Sequence, residues 1–149
     1  MGNRAVITFD PNPTGDSLGV YLHWNGGPES VYAFLDTLDH YVVRDNSDAP
    51  YQLARFVQIV GNFLGGTLSL GVGHLRQLDC DNGDNGLYAV TRISKERIVR
   101  RSDGSLTEWW SEFRVESERV SAYKHPYHTA ADSIAKAIHE KNDAAFKES

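Results

Sequence analysis

The sequence has little of what marks a secreted or membrane protein. It contains a single cysteine among 149 residues, so no disulfide can form within the chain, which fits a reducing compartment. No apolar run approaches the ~18 residues that a membrane-spanning helix needs. The first residues also lack the apolar core of a signal peptide. We therefore expect a cytoplasmic protein with no membrane partner.

Basic residues are also in short supply. The chain has 15 Lys and Arg against 20 Asp and Glu, giving a formal net charge of -5 at pH 7. Because affinity for a phosphate backbone comes mainly from Lys and Arg, this balance disfavours direct nucleic-acid binding. A moderate acidic excess more often serves solubility than mimicry of DNA, although mimicry stays open as an alternative.

What is present is the composition of an ordinary globular protein. Hydrophobic residues make up 40% of the chain and charged residues 23%. A chain of this length can bury roughly 70% of its unfolded surface in one core. We expect a single globular domain over residues 1–149.

The hydrophobic pattern alternates between strand and helix periodicities. Two strands joined by a turn come first, and two apolar stripes with helical spacing then begin near Pro28 and Pro50. Asp48 is a plausible cap for the second helix. The predicted strands cover residues 4–9, 18–24, 67–78, 87–93, 97–100 and 107–115, and a last helix covers 129–146. This order predicts an α+β fold, a mostly antiparallel sheet with about three helices packed on it.

The first candidate site is the turn between the second strand and the first helix. Its residues are His23, Trp24, Asn25, Gly26 and Gly27. Backbone N–H groups at a helix N-terminus attract anions, and glycines let a ligand approach closely. However, the segment contains no Lys or Arg and matches no phosphate-binding fingerprint. A tight turn that needs glycine for its backbone angles is the alternative interpretation.

The second candidate is a stretch rich in carboxylates and amides between residues 79 and 86. Its polar side chains are Asp79, Asp81, Asn82, Asp84 and Asn85. Such oxygens suit Ca²⁺ or Mg²⁺, but the spacing departs from the EF-hand loop, because a glycine stands where a ligand is expected. Two consecutive Asn-Gly turns explain the composition equally well. The three aspartates therefore stay weak metal candidates, and the sequence predicts no metal or other cofactor.

A polar stripe on the second predicted helix is the third candidate. Arg55, Gln58 and Asn62 follow one another at i, i+3 and i+7 and so share a face distinct from the apolar stripe. Such a stripe usually faces water. It gains functional interest if the two glycine-rich turns fold beside it.

The remaining candidates are an aromatic residue and a few reactive side chains. Strand alternation puts Trp109 and Trp110 on opposite faces, so Trp110 is a candidate exposed anchor for a protein interface. Cys80 could be paired with His74 or His23 as nucleophile and base, but no local signature supports this. The sequence therefore favours a protein without enzymatic activity.

Four sequence blocks resemble a known group of proteins. They are Gly2 to Ile7 (GNRAVI), Tyr21 to Gly27 (YLHWNGG), Ala54 to Gly66 (ARFVQIVGNFLGG) and Leu78 to Gly86 (LDCDNGDNG). Together they look like a family of small proteins encoded on bacterial phages, plasmids and integrated elements, and the resemblance covers roughly residues 2–90. It implies an accessory role in the bacterial host cell, and inhibition of a host defence system such as CRISPR is one form of that role.

Three hypotheses follow. The leading one is a non-enzymatic protein that binds a host protein, with the acidic loop meeting an Arg- or Lys-rich groove and tryptophans adding affinity. The rival is a small-molecule- or nucleotide-binding enzyme that gathers His23, Asn25, Arg55, Gln58 and Asn62 in one pocket. The third is an obligate homo-oligomer. The first two differ in whether the two turns and the helix stripe converge.

Overall fold

The computed structural model describes residues 2–10, 13–41, 48–66, 69–91, 97–101, 117–119 and 132–146. The fold is α+β, as the sequence predicts. In chain order its elements are β1 (Ala5–Thr8), β2 (Leu18–Leu22), α1 (Pro28–Tyr41), α2 (Ala49–Leu64), β3 (Leu70–His74), β4 (Leu87–Thr91), β5 (Arg97–Arg101), β6 (Ser117–Arg119) and α3 (Asp132–Phe146). A short 3₁₀ helix, Leu75–Gln77, follows β3.

Within the described ranges the strands form one sheet in the order β3-β2-β1-β4-β5-β6. The sheet is mostly antiparallel, as predicted, and β1 with β4 is its parallel pair, with Val6 opposite Leu87. Parallel neighbours start at the same end of a sheet, and an antiparallel neighbour ends there. The start of β1, the end of β2 and the start of β4 therefore lie side by side.

The alternation predicted for β1 is confirmed, because alternate residues of the strand pack in different hydrophobic clusters. Ala5, Ile7 and Phe9 belong to the main core, which the three described helices cover. Val6 points to the opposite face and packs with Leu75, Cys80 and Leu87 in a second, smaller cluster. The two faces are thus covered differently, by helices on one side and by the chain after β3 on the other.

The helices begin and pack largely as their sequence predicts. The Asp48 carboxylate accepts a hydrogen bond from the backbone N–H of Tyr51 at 3.1 Å and caps α2. The predicted apolar stripe of α2 includes the buried Leu53, Phe56 and Val60. Ile59 and Gln52 are also buried, which the predicted stripe did not include. The apolar stripe of α1 is buried as well, at Val31, Phe34, Leu35 and Leu38.

The largest difference from the sequence pattern comes after α2. A strand was expected over residues 67–78, but β3 ends at His74. The chain turns there because Leu75 is fully buried and its N–H donates to the carbonyl of Ser17 at 2.8 Å. The expected strand at 107–115 and residues 129–131, where the last helix was expected to begin, lie outside the described ranges. β6 is an element that the pattern does not predict. In the described part of the chain, no helix combines the length and the apolar character needed to cross a membrane.

Candidate functional site

The two glycine-rich turns meet at the start of β1. The backbone N–H of Asn3 donates to the carbonyl of His23 at 2.8 Å, and the N–H of Gly26 donates back to the carbonyl of Asn3 at 2.8 Å. On the other side, the N–H of Asn85 donates to the carbonyl of Arg4 at 3.1 Å. Residues 2–4, 23–27 and 79–86 thus form one unit, which we call the loop cluster.

Asn82 organises the acidic loop from inside. Its side chain is only 3% exposed. Its Oδ1 accepts hydrogen bonds from the backbone N–H groups of Asp84, Asn85 and Gly86 at 3.0 to 3.2 Å. Its Nδ2 donates to the carbonyls of Asp79 and Gly86. An asparagine predicted as a contact residue is therefore the internal support of the turn.

Asn85 has a similar structural role between the two turns. Its side chain is buried, and its Nδ2 donates to Oδ1 of Asn3 at 2.6 Å and to the carbonyl of Arg4 at 3.0 Å. Because buried amides are costly unless they are hydrogen bonded, these bonds fix the relative position of the two turns. The pairing also explains why an amide is needed at this position.

Arg4 holds two of the three aspartates of the loop. Its Nε lies 2.7 Å from Oδ2 of Asp84, which also accepts the backbone N–H of Arg4 at 3.1 Å. Its Nη1 lies 3.6 Å from Oδ2 of Asp79. The hydrogen bonds from Arg4 lower the pKa of Asp84 below its ordinary value, and the bond to Asp84 raises the pKa of Arg4. Asp81 is exposed and lies outside this pairing.

Gly26 of the first turn is required by packing. A Cβ on Gly26 would lie 2.6 Å from the carbonyl oxygen of Asn3 and 2.7 Å from Cβ of Ala5. The carbonyl of Gly26 accepts a hydrogen bond from the hydroxyl of Tyr88 at 3.0 Å. Asn25 adopts φ 61°, the left-handed region that asparagine tolerates better than most residues. The turn therefore needs its Asn-Gly sequence even with no ligand.

The aromatic side chains of the loop cluster stand on its surface. Trp24 is 43% exposed, and its indole meets the His23 ring edge to face, with the ring centres 4.9 Å apart. The His23 ring is in turn hydrogen bonded through Nδ1 to the Tyr21 hydroxyl at 3.0 Å. Burial raises the pKa of Tyr21 above its ordinary value. Trp24 is thus an exposed apolar side chain that packs on His23, and the Tyr21 hydroxyl holds the His23 ring in place.

The polar stripe of α2 has its contacts elsewhere. The Arg55 guanidinium lies over the Tyr51 ring at 5.3 Å from its centre. The Nδ2 of Asn62 donates to Oδ1 of Asn142 on α3 at 2.9 Å. Gln58 is exposed. The hydrogen bonds described for the stripe join α2 to α3 and do not join it to the loop cluster.

The reactive side chains considered above also have structural surroundings. Cys80 is 4% exposed, its thiol donates to the carbonyl of Leu75 at 3.6 Å, and burial raises its pKa to about 12. Such a thiol is almost entirely protonated at neutral pH and is a poor nucleophile. Among the described residues, no group of three His, Cys, Asp or Glu side chains is placed to hold a metal ion. Trp110 lies outside the described ranges.

The sequence did not single out Asn3 and Arg4, which complete the loop cluster, or Tyr21, which contacts it through His23. Their local pattern is that of ordinary strand residues, and only the parallel pairing of β1 with β4 brings Arg4 to Asp84. Three of the four sequence blocks quoted above overlap the loop cluster. Comparisons with protein-family models, with curated proteins and with solved structures find no match for the chain.

Proposed function

We propose that the chain is a non-enzymatic accessory protein of a phage or other mobile element, and that the loop cluster is the surface that binds a host protein. The observation that carries this proposal is the exposure of Trp24 on a unit whose other members bond one another. The resemblance of the sequence blocks supplies the setting, the cytoplasm of a bacterial host. Inhibition of a defence effector such as a CRISPR nuclease is the form we propose.

The rigidity of the loop cluster favours binding. Association costs free energy whenever a loop has to become ordered at the interface, so a surface that is already fixed loses less. The side chain of Asn82 fixes the backbone of residues 84–86, and the side chain of Asn85 attaches that loop to Asn3 and Arg4. Tryptophan is among the residues that most often dominate the binding energy of protein interfaces. A fixed, exposed indole is therefore a suitable anchor.

The charge of the loop cluster indicates the charge that the partner's surface should carry. The loop cluster contains three aspartates and a single arginine, so an acidic excess remains. Arg4 forms ion pairs with Asp84 and Asp79. Asp81 is therefore the carboxylate of this loop that is most available to a partner. A basic groove that normally holds nucleic acid is complementary to such a surface. The contribution of Asp79 and Asp84 is smaller than the sequence alone suggests.

The rival hypothesis of a small-molecule-binding enzyme has less support. It needs His23 and Asn25 to share a pocket with the α2 stripe. His23 instead bonds Tyr21, and the Asn25 Nδ2 donates to the Ser30 hydroxyl at 3.3 Å. Asn62 bonds α3. The two groups of residues make their contacts with different parts of the fold.

The test measures inhibition and affinity with matched variants. Purified chain is added to guide-loaded CRISPR nucleases, and cleavage of a target DNA is followed. In parallel, host proteins captured on the immobilised chain are identified, and the affinity of the purified pair is measured. Trp24→Ala should weaken binding about tenfold or more, because an anchor of this kind is worth at least ~1.4 kcal/mol. Gln58→Ala is the control and should bind as the wild type.

Two results would overturn the proposal. The first is a partner whose affinity is unchanged by Trp24→Ala and Asp81→Ala but lost in Gln58→Ala, which would move the contact surface to α2. The second is turnover of a small molecule that depends on His23 or Arg55. Binding without inhibition of any nuclease would remove the proposed CRISPR target and leave the binding surface intact.

A further inference from the structure

Among the described strands, β3 is the outermost on one side of the sheet, and none of them pairs with its outer edge. Its neighbour β2 pairs with it from Leu18 opposite His74 to Leu22 opposite Leu70. Natural proteins usually protect such an edge with lysine, proline, a bulge or a covering segment. The β3 sequence, Leu-Gly-Val-Gly-His, contains neither lysine nor proline.

The hydrogen bonds between β2 and β3 show which backbone groups of β3 point outward. The N–H of His23 donates to the carbonyl of Ser69, and the N–H of Leu75 donates to the carbonyl of Ser17. Because antiparallel residues alternate between bonding inward and outward, Gly71 and Gly73 bond to β2. The N–H and C=O groups of Leu70 and Val72 therefore point away from the sheet, as does the carbonyl of His74.

The side chain at the centre of this edge is also exposed. Val72 is 54% exposed, and Leu18 on the adjacent strand is 43% exposed. Val72 lies opposite Val20, a member of the main core, so it points to the helix side of the sheet. Leu18 borders an apolar groove of about 200 Å³ that reaches Pro50 and Leu53 at the start of α2. Exposed apolar surface and open backbone groups thus coincide at one corner.

We infer that β3 pairs antiparallel with β3 of a second copy of this chain, with Val72 opposite Val72 at the two-fold axis. The strand suits pairing with itself because Val72 has a glycine on each side and a large residue two positions away in both directions. A two-fold contact requires such self-complementarity, and like charges facing each other would oppose it. In this register the outward N–H and C=O of Val72 bond those of its copy, and the sheet continues from one subunit into the next.

This inference is independent of the proposed function, because it rests on β3, to which no residue of the loop cluster belongs. It also differs from an oligomer in which exposed aromatic residues bury each other. The N–H of His74 is engaged only by a long bond of 3.4 Å to Oε1 of Gln77, so it is available to Leu70 of the second copy. The inference therefore names a register that cysteine cross-linking can test.

Oligomeric state is measured first, by sedimentation and light scattering at increasing concentration. The wild type should form a dimer. Val72→Lys should be a monomer, because it places like charges at the axis. Ala144→Lys, the same charge change on the exposed side of α3, should remain a dimer. A monomeric wild type, or a Val72→Lys dimer, would overturn the inference.

Cross-linking then tests the register without depending on the stability of the lysine variant. Residues that face each other as a hydrogen-bonded pair lie ~5.5 Å apart at Cα, within disulfide range. Val72→Cys should form a covalent dimer on mild oxidation, and Leu18→Cys, which is similarly exposed but one strand further from the axis, should not. The native Cys80 is buried and does not interfere. Equal cross-linking at both positions, or none at residue 72, would contradict the pairing.

Discussion

The loop cluster and the β3 edge differ in whether their polar groups are hydrogen bonded within the described part of the chain. The loop cluster is rich in Asp and Asn, and it engages most of those side chains in bonds with its own backbone and with Arg4. The β3 edge carries apolar residues and glycine, yet the outward backbone groups of Leu70 and Val72 pair with no other strand in the described part of the chain. A polar sequence is therefore a poor guide to which polar groups a partner can reach, because burial and pairing decide this.

The same contrast separates the residues that build the loop cluster from the residues that a partner would touch. Asn82, Asn85 and Gly26 are buried and position the backbone. Trp24 and Asp81 are exposed. Variants of the first group should change stability, and variants of the second should change binding. The free energy of unfolding, measured for variants of each group, tests that division.

Removing the internal support of the acidic loop should have the largest effect. Asn82→Ala removes the acceptor of the backbone N–H groups of Asp84 and Gly86, whereas the N–H of Asn85 keeps its bond to the carbonyl of Arg4. Unpaired buried polar groups cost ~1–3 kcal/mol each, so we expect a loss of about 3 kcal/mol in urea unfolding. Asp81→Ala, in the same loop, should change stability by less than about 0.5 kcal/mol. Equal effects of the two variants would show that the loop is not built around Asn82.

A methyl group at the first turn should be the next largest perturbation. Gly26→Ala places Cβ against the backbone of Asn3 and Ala5, which cannot move without breaking the contact between turn and strand. Overpacking of this kind costs ~1–3 kcal/mol, and we expect about 2 kcal/mol from thermal or urea unfolding. The control is Gly66→Ala, where the added Cβ has no heavy atom within 4 Å. Its stability should match or slightly exceed that of the wild type.

Replacing the buried amide of Gln52 should increase the free energy of unfolding instead of lowering it. Gln52 is fully buried, and neither its Nε2 nor its Oε1 has a hydrogen-bond partner among the described residues. Gln52→Met keeps the length of the side chain and removes both unpaired groups, so we expect stabilisation by ~1 kcal/mol. Gln58→Met, on the exposed side of the same helix, should be near neutral. Destabilisation by Gln52→Met would indicate that the amide is paired in solution.

The ion pair of Arg4 with Asp84 should give the smallest effect, visible as a pH dependence. The pKa of Asp84 is lower in the folded chain, so its stabilisation is present above the unfolded pKa, near ~4, and is lost as the pH falls through the folded pKa. Asp84→Asn should therefore lose less stability than the wild type on acidification from pH ~5. Urea unfolding over a pH series measures this. Asp81→Asn should keep the wild-type slope, and a slope as shallow as that of Asp84→Asn would contradict the assignment.

Much of the fold could be predicted from the sequence because its signals are local. The alternation in β1, the cap at Asp48 and the stripes of α1 and α2 each depend on a few neighbouring residues. The end of β3 at His74 could not, because it depends on the burial of Leu75 against the far side of the sheet. The burial of Gln52 could not be predicted either, since a glutamine on an amphipathic helix normally faces water.

The candidate site was predicted as separate segments but not as an arrangement. The two turns were identified from their Asn, Asp and Gly content, and the structure brings them together. Arg4 and Asn3 were missed, because their role depends on the parallel pairing of β1 and β4, which no local pattern encodes. The α2 stripe was grouped with the turns as a hypothesis, and its contacts with Tyr51 and Asn142 lie elsewhere.

Amide hydrogen exchange, followed residue by residue in NMR spectra, tests the contrast most directly. The N–H groups of Asp84, Asn85 and Gly86 should exchange slowly at every protein concentration, because Asn82 holds them within one chain. The N–H of Val72 should exchange fast in dilute solution and slow down as the concentration rises and the second copy binds. Fast exchange at residues 84–86 would contradict the prebuilt loop cluster, and protection of Val72 at high dilution would contradict the open edge.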